Sequence, residues 1–104
     1  MVDIRKYVDA QGRVPFDDWL VRVRDHDAVD RVKARLKRLE RGNEGERAPV
    51  GEGVMEMKIR VGKGYRVYYA WDGPAVVLLL VGGNKSTQPQ DIKTAKAFWR
   101  DYNA

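Results

Sequence analysis

The side chains best placed to do chemistry in this sequence are cations, and their spacing draws them together. From Val54 to Val61 polar and apolar residues alternate strictly. A period of two is that of a β-strand, so Lys58 and Arg60 share a face with Val54 and Glu56, while Met55, Met57, Ile59 and Val61 share the other. Gly62-Lys63-Gly64 makes a hairpin connection, and Tyr65 to Trp71 forms a second strand with Arg66, Tyr68 and Ala70 on one face. Arg66 lies across the hairpin from Arg60 and joins its face if the register allows. A third, antiparallel strand then returns Lys85 to the end of the sheet that holds Arg60, Lys63 and Arg66. Like charges repel, so such a cluster is mildly destabilising unless an anion occupies it. With Tyr68 interleaved among the cations, the pattern suits single-stranded nucleic acid, where phosphates meet charge and bases stack. The alternative is a solvated outer face of an amphipathic antiparallel sheet.

Other chemistries find little support. The chain has no cysteine, which removes disulfides, thiolate catalysis and thiolate metal sites and fits a reducing cytoplasm. His26 is the single histidine, in a polar turn between two helices, and no His/Asp/Glu group has metal-ligand spacing, so neither a metal nor another cofactor is expected. Gly62-Lys63-Gly64 lacks the following helix that a phosphate-binding loop needs. No serine has a histidine and an acid behind it.

The elements that position the cations follow from periodicity. Asp3 to Val8 reads as a short opening strand. Pro15 suits the first turn of a helix carrying Phe16, Trp19, Leu20 and Val23 at helical spacing. An aspartate in Arg24-Asp25-His26-Asp27 can cap a second helix, whose stripe is Ala28, Val29, Val32, Leu36 and Leu39 and which Gly42 and Asn43 end. Glu44 to Gly53, polar and Gly-rich with Pro49, reads as a loop. Strands are expected over about 54–61, 65–71 and 75–81, the last a continuous apolar run covered on both faces. A final helix begins near Pro89 with Ile92, Ala95, Lys96 and Trp99 on one stripe. The expected fold is α+β, a single domain over residues 1–104, with helices on one side of an antiparallel meander.

A net charge of +5 favours an anionic partner in a chain this small, although solubility alone accounts for charges of about 2–8. No apolar run approaches the roughly 20 residues of a membrane span, and no apolar signal region follows the first charges, so a cytoplasmic protein with no membrane partner is expected.

Gly53 to Arg60, Gly62-Lys63-Gly64-Tyr65-Arg66-Val67-Tyr68-Tyr69, and Gly82-Gly83-Asn84-Lys85-Ser86-Thr87-Gln88 followed by Asp91-Ile92-Lys93 and Ala95-Lys96 resemble the RelE/ParE toxin superfamily, and most closely its HigB-like "addiction module killer protein" branch. Trp19-Leu20 and Gly42-Asn43 also fit, so the resemblance covers nearly the whole chain. It implies a RelE-like (microbial RNase-like) fold: an antiparallel sheet with two N-terminal helices and a C-terminal helix. It also implies ribosome-dependent mRNA cleavage and neutralisation by a cognate antitoxin, a small helix-turn-helix protein. Carried over, the catalytic positions are Lys58, Arg60, Arg66 and Lys85, with Lys63 and Tyr68 contacting RNA. Two departures stand out. Glu56 occupies a position that is basic in some relatives, and the last helix lacks an early tyrosine, Tyr102 lying too far along.

In such a reaction the RNA 2′-hydroxyl attacks the adjacent phosphate, so neither metal nor enzymic nucleophile is required. Arginine rarely gives up its proton, so Arg60 and Arg66 read as phosphate clamps. Lys58, its neutral amine favoured by neighbouring cations, competes with Glu56 as general base. Lys85 can protonate the leaving oxygen. Inhibition of DNA gyrase by protein contact, or a non-catalytic nucleic-acid or antitoxin-binding module, are the competing functions.

Overall fold

Local sequence accounts for most element boundaries. In the computed structural model, which describes residues 1–104, the order is β1 (Asp3–Lys6), α1 (Pro15–Arg22), α2 (His26–Glu40), β2 (Arg47–Gly51), β3 (Val54–Ile59), β4 (Tyr65–Trp71), β5 (Val76–Gly83), a 3-10 turn (Lys85–Thr87) and α3 (Gln88–Asn103). Pro15 opens α1, where its missing N–H costs nothing. The Asp25 side chain accepts from Ala28 N and caps α2. Asn84 accepts from Ser86 N and Thr87 N and starts the turn that leads into α3.

The fold is α+β: a five-stranded mixed sheet in the order β1-β5-β4-β3-β2 with three helices. The meander β2-β3-β4-β5 is antiparallel, but β1 runs parallel to β5, Asp3 opposite Val76 and Lys6 opposite Leu79. The all-antiparallel expectation is corrected there. The loop expected over Glu44 to Gly53 is also corrected, because Arg47–Gly51 pairs with β3. Pro49 misled because proline is excluded from central strands, whereas β2 lies at the edge.

The helices do not share one side. Phe16 and Trp19 of α1 and Ala28, Val32 and Leu39 of α2 pack with Met57, Ile59, Val67, Tyr69, Val77 and Leu79 on one face. Ala95 of α3, with Ile92, Phe98 and Trp99, packs with Val54, Tyr68, Ala70, Leu78 and Leu80 on the other. The second layer is required because β3, β4 and β5 present apolar side chains to both faces.

A β-bulge sets the register of the site. Tyr68 pairs with Val81 but Tyr69 with Leu79, so Leu80 is an extra residue in β5. The displaced register puts Gly82 under α1 and Gly83 beside Arg66 on the α3 face. Neither glycine leaves room for a side chain: a Cβ would stand 2.2 Å from Trp19 at Gly82 and 1.7 Å from Asp91 at Gly83.

Candidate functional site

Strand register settles how the cations meet. Lys58 lies opposite Arg66, and Glu56 lies opposite Tyr68, so Arg66 is the cross-strand partner of Lys58 and not of Arg60. Arg60 falls just beyond β3, at the start of the turn. The Lys85 N–H approaches the Lys63 carbonyl at 3.4 Å, holding the end of β5 against the hairpin. Lys58, Arg60, Lys63, Arg66 and Lys85 consequently line one cleft of about 480 Å³.

The two arginines are held by carboxylates. Exposed Arg60 donates through Nε and Nη2 to both oxygens of Glu46, at 2.6 and 2.5 Å. The hydrogen-bonded guanidinium holds Glu46 below the usual carboxylate range, and Glu46 in turn raises Arg60. Arg66 is largely sunk beneath the surface. Its Nη1 donates to the Gly64 carbonyl at 2.7 Å, and its Nε faces Glu56 Oε2 at 3.5 Å without a hydrogen bond. Lys58, Lys63 and Lys85 form no ion pair. The cleft therefore combines three lysines without anionic partners and two arginines fixed from behind, an arrangement suited to a polyanion.

Glu56 is 2% exposed, and its Oε2 accepts from Tyr68 Oη at 3.1 Å and Gln88 Nε2 at 2.7 Å. It supports Arg66 from below instead of facing the cleft as a base would. Tyr68 shares the face of Arg66 as expected, but its expected role in stacking on a base is corrected: the residue is wholly buried in the layer that α3 covers. Burial and the Glu56 carboxylate push its phenol well above the ordinary value. The face expected to be wet is covered because α3 packs there, leaving only its end open as the cleft.

Further residues had no sequence signal. Arg35 of α2 donates to the Lys58 carbonyl at 2.6 Å and to the carbonyls of Glu44 and Glu46 at 3.2 and 3.0 Å, tying the helix to the strand end that carries Lys58. Burial, followed by repulsion from Arg38, lowers its pKa, with Glu46 pulling the other way. Glu46 stood in a stretch without periodicity. Gln88 stood at the end of the Gly-Gly-Asn-Lys-Ser-Thr-Gln segment, but nothing there paired it with Glu56. His26 is exposed at the start of α2. No group of three or more histidine, aspartate or glutamate side chains could hold a metal ion, and no helix is long and apolar enough to cross a membrane.

No family model matches the chain. A Haemophilus influenzae protein described as "Uncharacterized protein" is 46% identical over 89 residues, which cover 86% of this chain and 90% of that protein. The chain belongs to the same family as that protein. The match extends through most of the fold, but the relative's description carries no activity, substrate or partner.

Proposed function

We propose that this chain is the toxin of a type II toxin–antitoxin pair with a RelE-like fold, acting in the cytoplasm as a metal-independent, ribosome-dependent mRNA endoribonuclease. The observation that carries the proposal is the single cleft lined by Lys58, Arg60, Lys63, Arg66 and Lys85. An RNA phosphate seated there meets Arg66 in a fixed orientation, with Lys58 across the ladder and Lys85 at the mouth. Arg66 stabilises charge on the pentacoordinate phosphate, and Lys85 protonates the leaving oxygen. Glu56 is enclosed beneath Arg66, so Lys58 takes the role of proton acceptor. A cognate antitoxin, a small helix-turn-helix protein, neutralises the toxin.

Induction in growing bacteria tests this, with mRNA ends mapped by primer extension and their 2′,3′-cyclic phosphates identified. Arg66→Ala should lose on the order of 100-fold or more of the cleavage rate, as when an oxyanion donor is removed, whereas Arg66→Lys should keep part of it. Full cleavage by folded Arg66→Ala protein would overturn the mechanism. The enclosure of Glu56 and Tyr68 favours a second reading, a toxin that binds without cutting. Growth arrest with no new mRNA ends but altered DNA supercoiling would select gyrase inhibition in its place.

A further inference from the structure

The largest cavity of the molecule, about 750 Å³, has no part in the phosphate chemistry proposed above. It opens between the α1–α2 turn and the β3–β4 hairpin, and it shares Gly62, Lys63 and Tyr65 with the cationic cleft. Trp19 and Tyr65, each 8% exposed, give it apolar walls. Asp25 and Asn84 give it polar groups of opposite kind.

Asp25 Oδ1 accepts from Ala28 N at 3.1 Å. Its Oδ2 points at the hairpin, where a Cβ on Gly62 would stand only 2.6 Å away. Although Arg22, Arg24 and Lys63 line the same cavity, Asp25 forms no ion pair. A carboxylate offers about four acceptor positions, so most of its capacity is open. Asn84 Oδ1 is occupied by Ser86 N and Thr87 N, at 2.9 and 3.3 Å, which leaves the Nδ2 donors as the part of the amide without a partner in the protein. An open carboxylate and an amide donor thus stand beside the phosphate-binding cleft, separated from it by the hairpin tip.

We infer that this cavity is a nucleobase pocket selective for guanine. The inference rests on the reading of the adjacent cleft as a phosphate site. Guanine presents two neighbouring donors, N1–H and N2–H, which a single carboxylate accepts together, and its O6 takes a donor such as Asn84 Nδ2. Adenine turns the acceptor N1 toward the carboxylate, and uracil surrounds its one N–H with carbonyl oxygens. Cytosine offers an amino group flanked by an acceptor. The apolar walls exclude water from these bonds, which raises their discriminating power. Lys63, common to both cavities, bridges the base pocket to the phosphate.

The test is titration of the full chain with 5′-GMP, 5′-AMP, 5′-CMP and 5′-UMP, followed through the amide resonances of Asp25, Gly62 and Asn84. GMP should bind on the order of tenfold more tightly than the others, the preference expected of a good bidentate base contact. Asp25→Asn should abolish that preference. Asparagine caps helices as well as aspartate does, so α2 stays intact while an amino group replaces the Oδ2 acceptor. Equal affinity of the parent for all four nucleotides, or a guanine preference that survives Asp25→Asn, would overturn the inference. If the parent shows no base preference while Arg66→Ala still weakens RNA binding, the pocket falls and the phosphate cleft stands. If the parent binds neither nucleotides nor RNA, both fall.

Discussion

Replacing Glu56 should cost stability because of what it leaves behind. Its Oε2 accepts from Tyr68 Oη and Gln88 Nε2 and faces Arg66 Nε at 3.5 Å, all beneath the surface. In Glu56→Ala the fully buried Tyr68 hydroxyl loses its acceptor, at about 1–3 kcal/mol. Arg66, whose side chain is 13% exposed, loses its compensating charge, and breaking a buried pair costs about 3–5 kcal/mol in all. Gln88 is only partly buried and can turn to water, so it adds little. Against a total of about 5–15 kcal/mol for a domain, that is a large fraction. Glu56→Gln keeps an oxygen for Tyr68 and should lose only the excess of a charged over a neutral hydrogen bond, about 1–1.5 kcal/mol. At about 4–8 °C per kcal/mol, Tm should then fall by roughly 4–12 °C. Urea unfolding of both variants, and of Glu56→Ala combined with Arg66→Met, gives the coupling, expected at about 1–3 kcal/mol. If Glu56→Ala costs less than about 1 kcal/mol, or no more than Glu56→Gln, the carboxylate is not what holds Arg66.

Gly82→Ala would push a methyl into the Trp19 ring and should lower stability by about 1–3 kcal/mol, read from the urea midpoint; an unmoved midpoint would show that the contact relaxes freely. The hydrogen bond to Asp101, reinforced by burial, pushes the Tyr7 phenol up to about 12 from its ordinary 10.0. Its stabilisation is therefore complete below pH 10 and fades as the pH rises toward 12, so Tyr7→Phe should be the less stable protein at neutral pH and converge on the parent in alkali. Convergence in acid instead would contradict this. Glu46→Ala releases Arg60 into the cleft and should strengthen binding of a short single-stranded RNA, steepening the log–log salt slope by about 0.7. An unchanged slope would place Arg60 outside the interface.

The alternation from Val54 to Val61 and from Tyr65 to Trp71 was enough to place β3, β4 and the tight turn between them, because period-2 patterning and glycine chemistry are local. The gathering of Lys58, Arg60, Lys63, Arg66 and Lys85 followed from that topology. What escaped depended on contacts distant in sequence. Ala48 and Val50 alternate in β2, but the span was short and Pro49 masked it. The apolar run of β5 already demanded cover on both faces, yet nothing local says which helix supplies it, so α3 was set on the wrong side. The burial of Tyr68 and Glu56 is a consequence of that docking. The bulge at Leu80 has no signature within a run of apolar residues, and the Arg60–Glu46 pair depends on β2 lying where a loop was expected.

The parallel pairing of β1 with β5 governs the order in which the molecule can assemble. On a growing chain the first strand emerges early and waits, since its partner begins only at Val76. Loop-closure entropy of that span must be met before the pairing contributes anything, so sheet closure belongs to a late and comparatively slow step. The cleft shares this timing, because Lys85 reaches the hairpin only once β5 has aligned with β4. A chain interrupted before β5 still carries Lys58, Arg60, Lys63 and Arg66, but lacks the strand that brings Lys85 to them. The assembled cationic surface is thus absent from the nascent chain through most of its synthesis.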